Sequence, residues 1–384
     1  MRTGASVLCA DPDLAGPGRL GLFTNFTGVM PDLGRNVDAL LRAGLDIAAL
    51  FGPEHGLRGI GQAGDAEPDD VDEATGLPVL NTYGKTGEAL DELIRRSGVE
   101  ALVVDLQDIG VRFWTYVSTL HDCMQSAARL GLRVVVLDRP NPLGGAVTSG
   151  PGLDPRFSSF VGRMDVPIRH GLTLGELATL FNSRFRSHTG QDVDLRVVRM
   201  DGWRRDDAGT APDPWVMPSP NMPTPDTVLA FCGTGLFEGT TVSEGRGTTR
   251  PFELIGAPYV DGRLADTLRD QQLAGVGFRE VWFEPTFHKY AGQTVRGVQL
   301  HVHDKRAFEP VSCALTMIWA FASLYPDHFA FPERQDDGTD HAIDRLWGSD
   351  ELRLAVAAGR DVRDLQREPV PTKDRYSPEI LLYP

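Results

Sequence analysis

The sequence predicts an α/β fold built on an open, doubly wound, mostly parallel sheet. Three observations carry that expectation. Ala101–Leu106 and Arg133–Leu137 are runs continuous in Val and Leu, the pattern of parallel strands covered on both faces. Segments with helical spacing of apolar residues alternate with such runs. The chain has 384 residues, too many for one typical domain, so a second unit is expected beside the sheet.

Leu20–Phe23 is a short apolar strand that ends in the polar turn Thr24-Asn25. Asn36–Ala43 has helical spacing in Val37, Leu40 and Leu41 and stops at Gly44, a helix-ending glycine. Asp46–Phe51 is the next strand and breaks at Gly52-Pro53. Glu88–Arg96 and Leu120–Leu130 supply helices on either side of the strand Ala101–Leu106. Thr173-Leu174-Gly175-Glu176 is a capping box that opens a helix through Leu177, Leu180 and Phe181. The stretch from Pro214 to Pro225, with Pro212 just before it, holds six prolines and can be neither helix nor central strand. It reads as a long ordered loop between a first domain, residues 1–225, and a smaller second one, residues 226–384. In the second, Leu229–Phe231, Val281–Phe283 and Gly297–Val302 read as strands. Cys313–Leu324, Ile343–Trp347 and Leu352–Ala358 read as helices.

Composition narrows the function. Apolar residues make up 41%, with no run of 18, so cores are expected and a membrane span is not. Thirty-eight basic against 53 acidic residues give a net charge of −15, which argues against a general nucleic-acid surface. A local arginine cluster can still receive a small anion. Cys9, Cys123, Cys232 and Cys313 form no CxxC pair, hence no disulfide framework and no zinc knuckle, and they suit a reducing compartment. Residues 1–11 hold one arginine and no long apolar stretch, so a cytoplasmic location is expected.

Ligands of open parallel sheets bind beyond the C-terminal ends of the strands, and four such ends carry unusual residues. They are Thr24-Asn25-Phe26-Thr27-Gly28, the loop from Phe51 through Glu54, His55 and Arg58 to Gly59, the loop from Asp105 through Gln107, Asp108 and Arg112 to Phe113, and Asp138-Arg139-Pro140-Asn141. An aspartate at a strand end, such as Asp105 or Asp138, serves equally as a helix cap or a turn acceptor. Glu54 sits in a rigid Gly-Pro/His-Gly turn with no evident capping task, which favours a functional role, a general acid if burial raises its pKa. His55 either orients Glu54 or fills a pocket.

Familiar motifs are missing. No GxGxxG follows the first strand and no GxxxxGK[ST] is present, so no nucleotide cofactor is expected. The G-x-S-x-G elbow and H-E-x-x-H are also absent, which disfavours the usual serine hydrolases and zinc proteases. Glu244-Gly245-Arg246-Gly247-Thr248-Thr249-Arg250 is a glycine-rich loop with two arginines, fit to fork a carboxylate or simply to connect. His301 and His303 share one strand face but have no evident third ligand, so no metal is expected. The residues alone thus indicate an α/β enzyme of hydrolase type acting on a polar small molecule or glycan.

Five blocks go further. Phe51-Gly-Pro-Glu-His-Gly-Leu-Arg-Gly59, Asp105-Leu-Gln-Asp-Ile-Gly-Val-Arg-Phe113, Leu137-Asp-Arg-Pro-Asn-Pro-Leu-Gly-Gly145, Pro218-Ser-Pro-Asn-Met-Pro-Thr224 and Glu238-Gly-Thr-Thr-Val-Ser-Glu-Gly-Arg-Gly-Thr-Thr-Arg-Pro-Phe252 resemble the bacterial exo-β-N-acetylmuramidases, peptidoglycan-recycling glycoside hydrolases long carried as a domain of unknown function. Val161-Gly-Arg163 and Pro167–Thr173 fit as well, and the resemblance runs from about Leu20 to the C-terminus. It implies a Rossmann-like first domain, a smaller α/β second domain and an active-site cleft between them. It also implies release of N-acetylmuramic acid from the non-reducing end of β-1,4-linked fragments, with the family's proposed catalytic glutamate falling on Glu54.

Under that resemblance Glu54 is the expected proton donor. Asp105, Asp108, Asp138 and Glu244 are candidates for a second acid, or for orienting the substrate's acetamido nitrogen. Muramic acid carries a lactyl carboxylate, for which Arg58, Arg112, Arg246 and Arg250 are the expected receivers. Asn25, Gln107, Arg139 and Asn221 are candidates for sugar contacts, and Phe113, Trp114 or Tyr116 for a stacking face or plain core. The expected partner is a small glycan fragment, with neither nucleic acid nor membrane. Two rivals remain: a metal-dependent amidase or deacetylase using His301 and His303, and a non-catalytic muropeptide-binding protein.

Overall fold

The computed structural model describes all residues except 63, 191, 207–213 and 334–340, so Pro212 lies outside the described residues. The chain opens with helix α1 (Gly4–Ala10), strand β1 (Leu20–Thr24), α2 (Asn36–Arg42) and β2 (Ile47–Gly52). There follow β3 (Asp70–Val71), β4 (Pro78–Asn81), α3 (Gly87–Ser97), β5 (Ala101–Asp105), α4 (Thr115–Leu130) and β6 (Arg133–Leu137). After the two-residue β7 (Val147–Thr148) come α5 (Leu174–Thr189) and β8 (Leu195–Val198). These strands, without β7, form one seven-stranded sheet in the order β3-β4-β2-β1-β5-β6-β8, parallel throughout apart from β3 at its edge.

β1 and β5 are buried at every position, as strands with helices on both faces must be. On one face Leu20 and Leu22 pack with Ala5, Leu8, Val37 and Leu40 of α1 and α2. On the other, Phe23, Val104 and Val136 join the larger core containing Leu93, Leu120 and Leu177. The capping box forms in full. Thr173 accepts the Glu176 amide at 3.2 Å, and the Glu176 carboxylate accepts the Thr173 amide at 3.0 Å. α4 starts at Thr115, five residues before the expected Leu120, with no side-chain cap at Trp114 to announce it.

The rest of the chain builds a smaller unit. It comprises α6 (Pro225–Thr234), β9 (Leu254–Ala257), α7 (Arg263–Asp270), β10 (Val276–Phe283), β11 (Val295–Val302) and α8 (Pro310–Leu324). The short α9 (Ala342–Trp347), α10 (Glu351–Ala357), β12 (Val370–Pro371) and α11 (Thr372–Arg375) follow. β10, β11 and β9 form an antiparallel sheet, and β12 pairs back onto β7. Gly297 lets β11 approach β9 closely: a Cβ there would stand 2.0 Å from the Ile255 carbonyl oxygen. Leu229–Phe231, expected as a strand, lies inside helix α6. Its start was legible after all, since Thr224 caps the Thr227 amide at 3.2 Å and Pro225 occupies the first turn.

Long-range polar ties bind the late chain to the early sheet. The Tyr383 hydroxyl donates to Asp138 at 2.6 Å, the Leu382 amide to Glu176 at 2.7 Å, and the Arg205 amide to the Pro384 carbonyl at 3.0 Å. Among the described residues, no helix is long and apolar enough to cross a membrane.

Candidate active site

The loop after β2 makes a tight turn at Pro53–Gly56, closed by the Gly56 amide on the Pro53 carbonyl at 3.0 Å. His55 and Gly56 both take φ of +71°. For His55 this is a strained conformation of the kind that concentrates at working sites. It brings two consecutive side chains, Glu54 and His55, to the wall of one pocket. Gly56 has no alternative: a Cβ would meet the Glu67 carboxylate at 1.8 Å.

That pocket encloses about 170 Å³. Its aromatic side comes from Phe113 and Trp114 after β5 and from Phe231 and Phe252 of the later chain, and its charged side from Glu54, Glu238 and Arg246. Glu54 is buried and accepts the Gly64 amide at 3.0 Å. Tyr83 bonds to the same carboxyl. Burial, with the Glu54 charge and this hydrogen bond, pushes the Tyr83 hydroxyl up to about 12, so it remains a donor. The His55 Nδ1 lies 2.8 Å from the Gly61 carbonyl. A carbonyl only accepts, so Nδ1 carries the proton and the neutral ring's lone pair sits on Nε2. Burial pushes His55 below its ordinary pKa, against the opposing pull of Glu54.

Arg246 is stretched over the Phe252 ring at 5.0 Å and grips Glu238 through Nε at 3.0 Å and through Nη2. Behind it, Glu244 is fully buried, with Lys289 at 2.9 Å and His288 at 3.0 Å. Burial alone would raise the Glu244 carboxyl, but the Lys289 charge and the hydrogen bond with His288 prevail and hold it at about 2. Glu244 is thus held as an anion behind Arg246, 3.6 Å from its Nε.

The other candidate residues lie in networks of their own. Asp105 is fully buried and clamped by Arg139, whose Nη2 reaches it at 2.9 Å, and by Asn36 Nδ2 at 2.6 Å. This network lies at the sheet edge where the strand order reverses between β1 and β5, and it ties Asp105 to Arg139 and Asn36. Asp138 accepts from Thr173 Oγ1 at 2.7 Å, the Gly175 amide at 2.8 Å and Tyr383, which makes it an anchor for the start of α5. Burial, set against those donors, raises Asp138 to about 6. Asp108 turns onto the Gly110 amide at 2.8 Å and lies 3.3 Å from His170 Nε2. Gln107 ties down the Asp108 and Pro140 carbonyls at 2.7 and 2.8 Å.

The arginines separate sharply. Arg112 is sealed inside, donating to the Pro151, Val166 and Leu346 carbonyls at 2.7, 2.9 and 2.9 Å. It is a strut, and burial lowers its pKa to about 10. Arg250 pairs with Glu253 at 3.1 Å with its side chain half exposed. Arg58, also half exposed, pairs with Asp70 at 2.7 Å beside a separate cavity of about 320 Å³. Asn25 lines that second cavity and donates to the Tyr116 hydroxyl at 2.7 Å, which in turn donates to the Pro218 carbonyl at 2.8 Å. Asn221 donates to Gln62 at 3.0 Å, while its neighbours Ser219 and Met222 line the Glu54 pocket. Of the four predicted arginines, Arg246 is the one that lines the pocket with Glu54.

The pocket contains residues the sequence did not single out, notably Glu238 within an already quoted block. Tyr83, at the carboxyl of Glu54, follows the unrecognised strand β4. A larger cavity of about 450 Å³, between α8 and α10, contains none of the predicted site residues. His301 and His303, at the end of β11, face solvent, and among the described residues no group of three His, Cys, Asp or Glu is placed to hold a metal ion.

Comparison with known proteins agrees with the expected fold and family. Residues 20–226 match the family model for the N-terminal domain of the exo-β-N-acetylmuramidase NamZ, and residues 229–383 match that for its C-terminal domain. The chain is 43% identical over 370 residues to the peptidoglycan β-N-acetylmuramidase NamZ of Bacillus subtilis (strain 168), covering 95% of this chain and 86% of that protein. Two crystal structures of DUF1343 family proteins from Bacteroides fragilis NCTC 9343 are similar over the whole of this chain. One has a TM-score of 0.86 at 33% identity with 99% of its chain covered, the other 0.74 at 27% with 98% covered. The chain belongs to the exo-β-N-acetylmuramidase NamZ family.

Proposed function

We propose that this chain is an exo-acting glycoside hydrolase releasing N-acetylmuramic acid from the non-reducing end of β-1,4-linked peptidoglycan fragments, with Glu54 as proton donor and Arg246 as receiver of the lactyl carboxylate. The observation that carries this reading is that Glu54 and Arg246 line one pocket with aromatic walls. Glycosidic cleavage needs a carboxyl beside the leaving oxygen. Recognition of a muramyl sugar needs a forked, directional cation. Phe113, Trp114 and Phe252 supply apolar surface for the pyranose ring.

The protein's part in the step is positional. The Gly64 amide fixes one Glu54 oxygen, the Tyr83 hydroxyl bonds the same carboxyl, and the surrounding rings limit water. With Asp105 and Asp138 committed to structural networks, the carboxylates nearest Arg246 are Glu238 and Glu244. A cytoplasmic setting belongs to the same proposal, supported by the four free thiols.

The test is release of free N-acetylmuramic acid from a chromogenic β-muramide, run beside the matching β-glucosaminide, with wild type and Glu54→Gln. Muramide cleavage abolished by the substitution is the expected result. Retained turnover in Glu54→Gln would overturn the assignment of Glu54. Loss of wild-type activity with chelator would instead favour the metal-dependent amidase.

A further inference from the structure

Glu238 takes no part in the mechanism above, yet it holds the group expected to bind substrate. It projects from the short turn Gly235–Gly239, with its side chain about a quarter exposed, and one of its oxygens spans Arg246 Nε and Nη2. A lactyl carboxylate arriving at Arg246 would seek those same donors.

We propose that Glu238 is an internal stand-in for the substrate's carboxylate, so that muramyl binding exchanges one carboxylate for another on Arg246. The proposal rests on the reading that Arg246 receives the lactyl group.

Three observations support it. The first is volume: about 170 Å³ falls short of the about 300–1,000 Å³ typical of small-molecule sites, so something must withdraw before the bulkier, lactyl-bearing sugar is seated at Arg246. The second is charge. Glu238 and Glu244 already stand beside Arg246, and adding a further anion without removing one would set like charges together in a poorly screened space. Exchange leaves the balance unchanged. The third is mobility. Glu244 stands 3.6 Å from Arg246 but is fully buried and held by Lys289 and His288, whereas Glu238 reaches solvent. Of the two carboxylates beside Arg246, Glu238 is the one able to leave.

The consequence is selectivity. A glucosaminyl sugar has no carboxylate with which to take Arg246 from Glu238, so it leaves the ion pair in place and gains nothing from the exchange. In the empty enzyme, Arg246 is available only in the fraction of molecules where Glu238 has swung away. The observed affinity is weakened by that fraction.

The experiment is calorimetric binding of free N-acetylmuramic acid and of N-acetylglucosamine to wild type, Glu238→Gln, Arg246→Met and the double variant. Glu238→Gln keeps the side chain's shape, and Glu238→Asp serves as a second, shorter-armed variant. If the pair leaves Arg246 free about one time in ten, Glu238→Gln binds N-acetylmuramic acid about tenfold tighter. Its affinity for N-acetylglucosamine stays the same, and the gain disappears in the Arg246→Met background. Weaker binding of N-acetylmuramic acid in Glu238→Gln would make Glu238 a positioning partner of Arg246 and overturn the exchange. Equal gains for both sugars would make it a steric lid and overturn it too. Arg246→Met weakening both sugars alike would instead refute the lactyl assignment itself.

Discussion

Arg112 provides the sharpest test of the structural reading, because its sequence context resembles that of a ligand-binding arginine while its surroundings are those of a strut. In Arg112→Met, three carbonyls lose charge-assisted donors at 2.7–2.9 Å. At about 2 kcal/mol for each buried acceptor left unmet, the gross loss is about 6 kcal/mol. Against this, methionine brings no charge to desolvate. Burial lowers the Arg112 guanidinium well below its ordinary value, to about 10, which places the relieved desolvation at about 3 kcal/mol. The net destabilisation is then about 3 kcal/mol. Urea unfolding should show a clear fall in midpoint, and Arg112→Lys should lie between, since an ammonium has three donors but no planar fork. In parallel, the KM for a muramide should stay within about twofold in the folded fraction, because Arg112 is buried and does not line the Glu54 pocket. A tenfold rise in KM with an unchanged midpoint would refute the reasoning and return Arg112 to the substrate.

Three further outcomes are expected. Tyr83→Phe removes the hydroxyl bonded to Glu54 and should lower kcat about tenfold. An unchanged kcat would deny that contact a part in catalysis. Glu244 is held at about 2 against an ordinary 4.5, so its contribution is fully present above pH 4.5 and lost as pH falls towards 2. Acid titration of unfolding should show about 3 kcal/mol disappearing over that window in wild type and not in Glu244→Gln. Gly56→Ala forces a Cβ onto the Glu67 carboxylate in a left-handed backbone and should cut kcat/KM at least tenfold; full activity would show that the turn can open at little cost.

Much of this was legible in the sequence, and what was not has an identifiable cause. The parallel strands announced themselves because burial on both faces leaves uninterrupted Val and Leu runs, and Glu54 stood out because its Gly-Pro turn has no capping task. Asp105 and Asp138 looked equally suggestive. Their roles are decided by Arg139, Thr173 and Gly175, all 34 or more positions downstream, and by Tyr383, 245 positions away. Local spacing has no access to such partners. Arg112 and Arg246 present the same difficulty: one meets carbonyls and the other meets Glu238, and nothing beside either arginine distinguishes them. Tyr83 was hidden for a different reason, because the four-residue strand that positions it is too short to carry a period.

The ties between distant parts of the chain also bear on how it is made. Asp138 waits for a partner 245 positions later, Arg112 for one 234 later, and Glu176 for one 206 later. At about 5–20 residues per second, a ribosome needs roughly 10–50 s to supply them. During that interval Arg112 lacks one of its three carbonyl acceptors, and Asp138 and Glu176 each lack one donor. The sheet's final fastening is therefore a late translational event, and the half-made chain offers chaperones a window of tens of seconds.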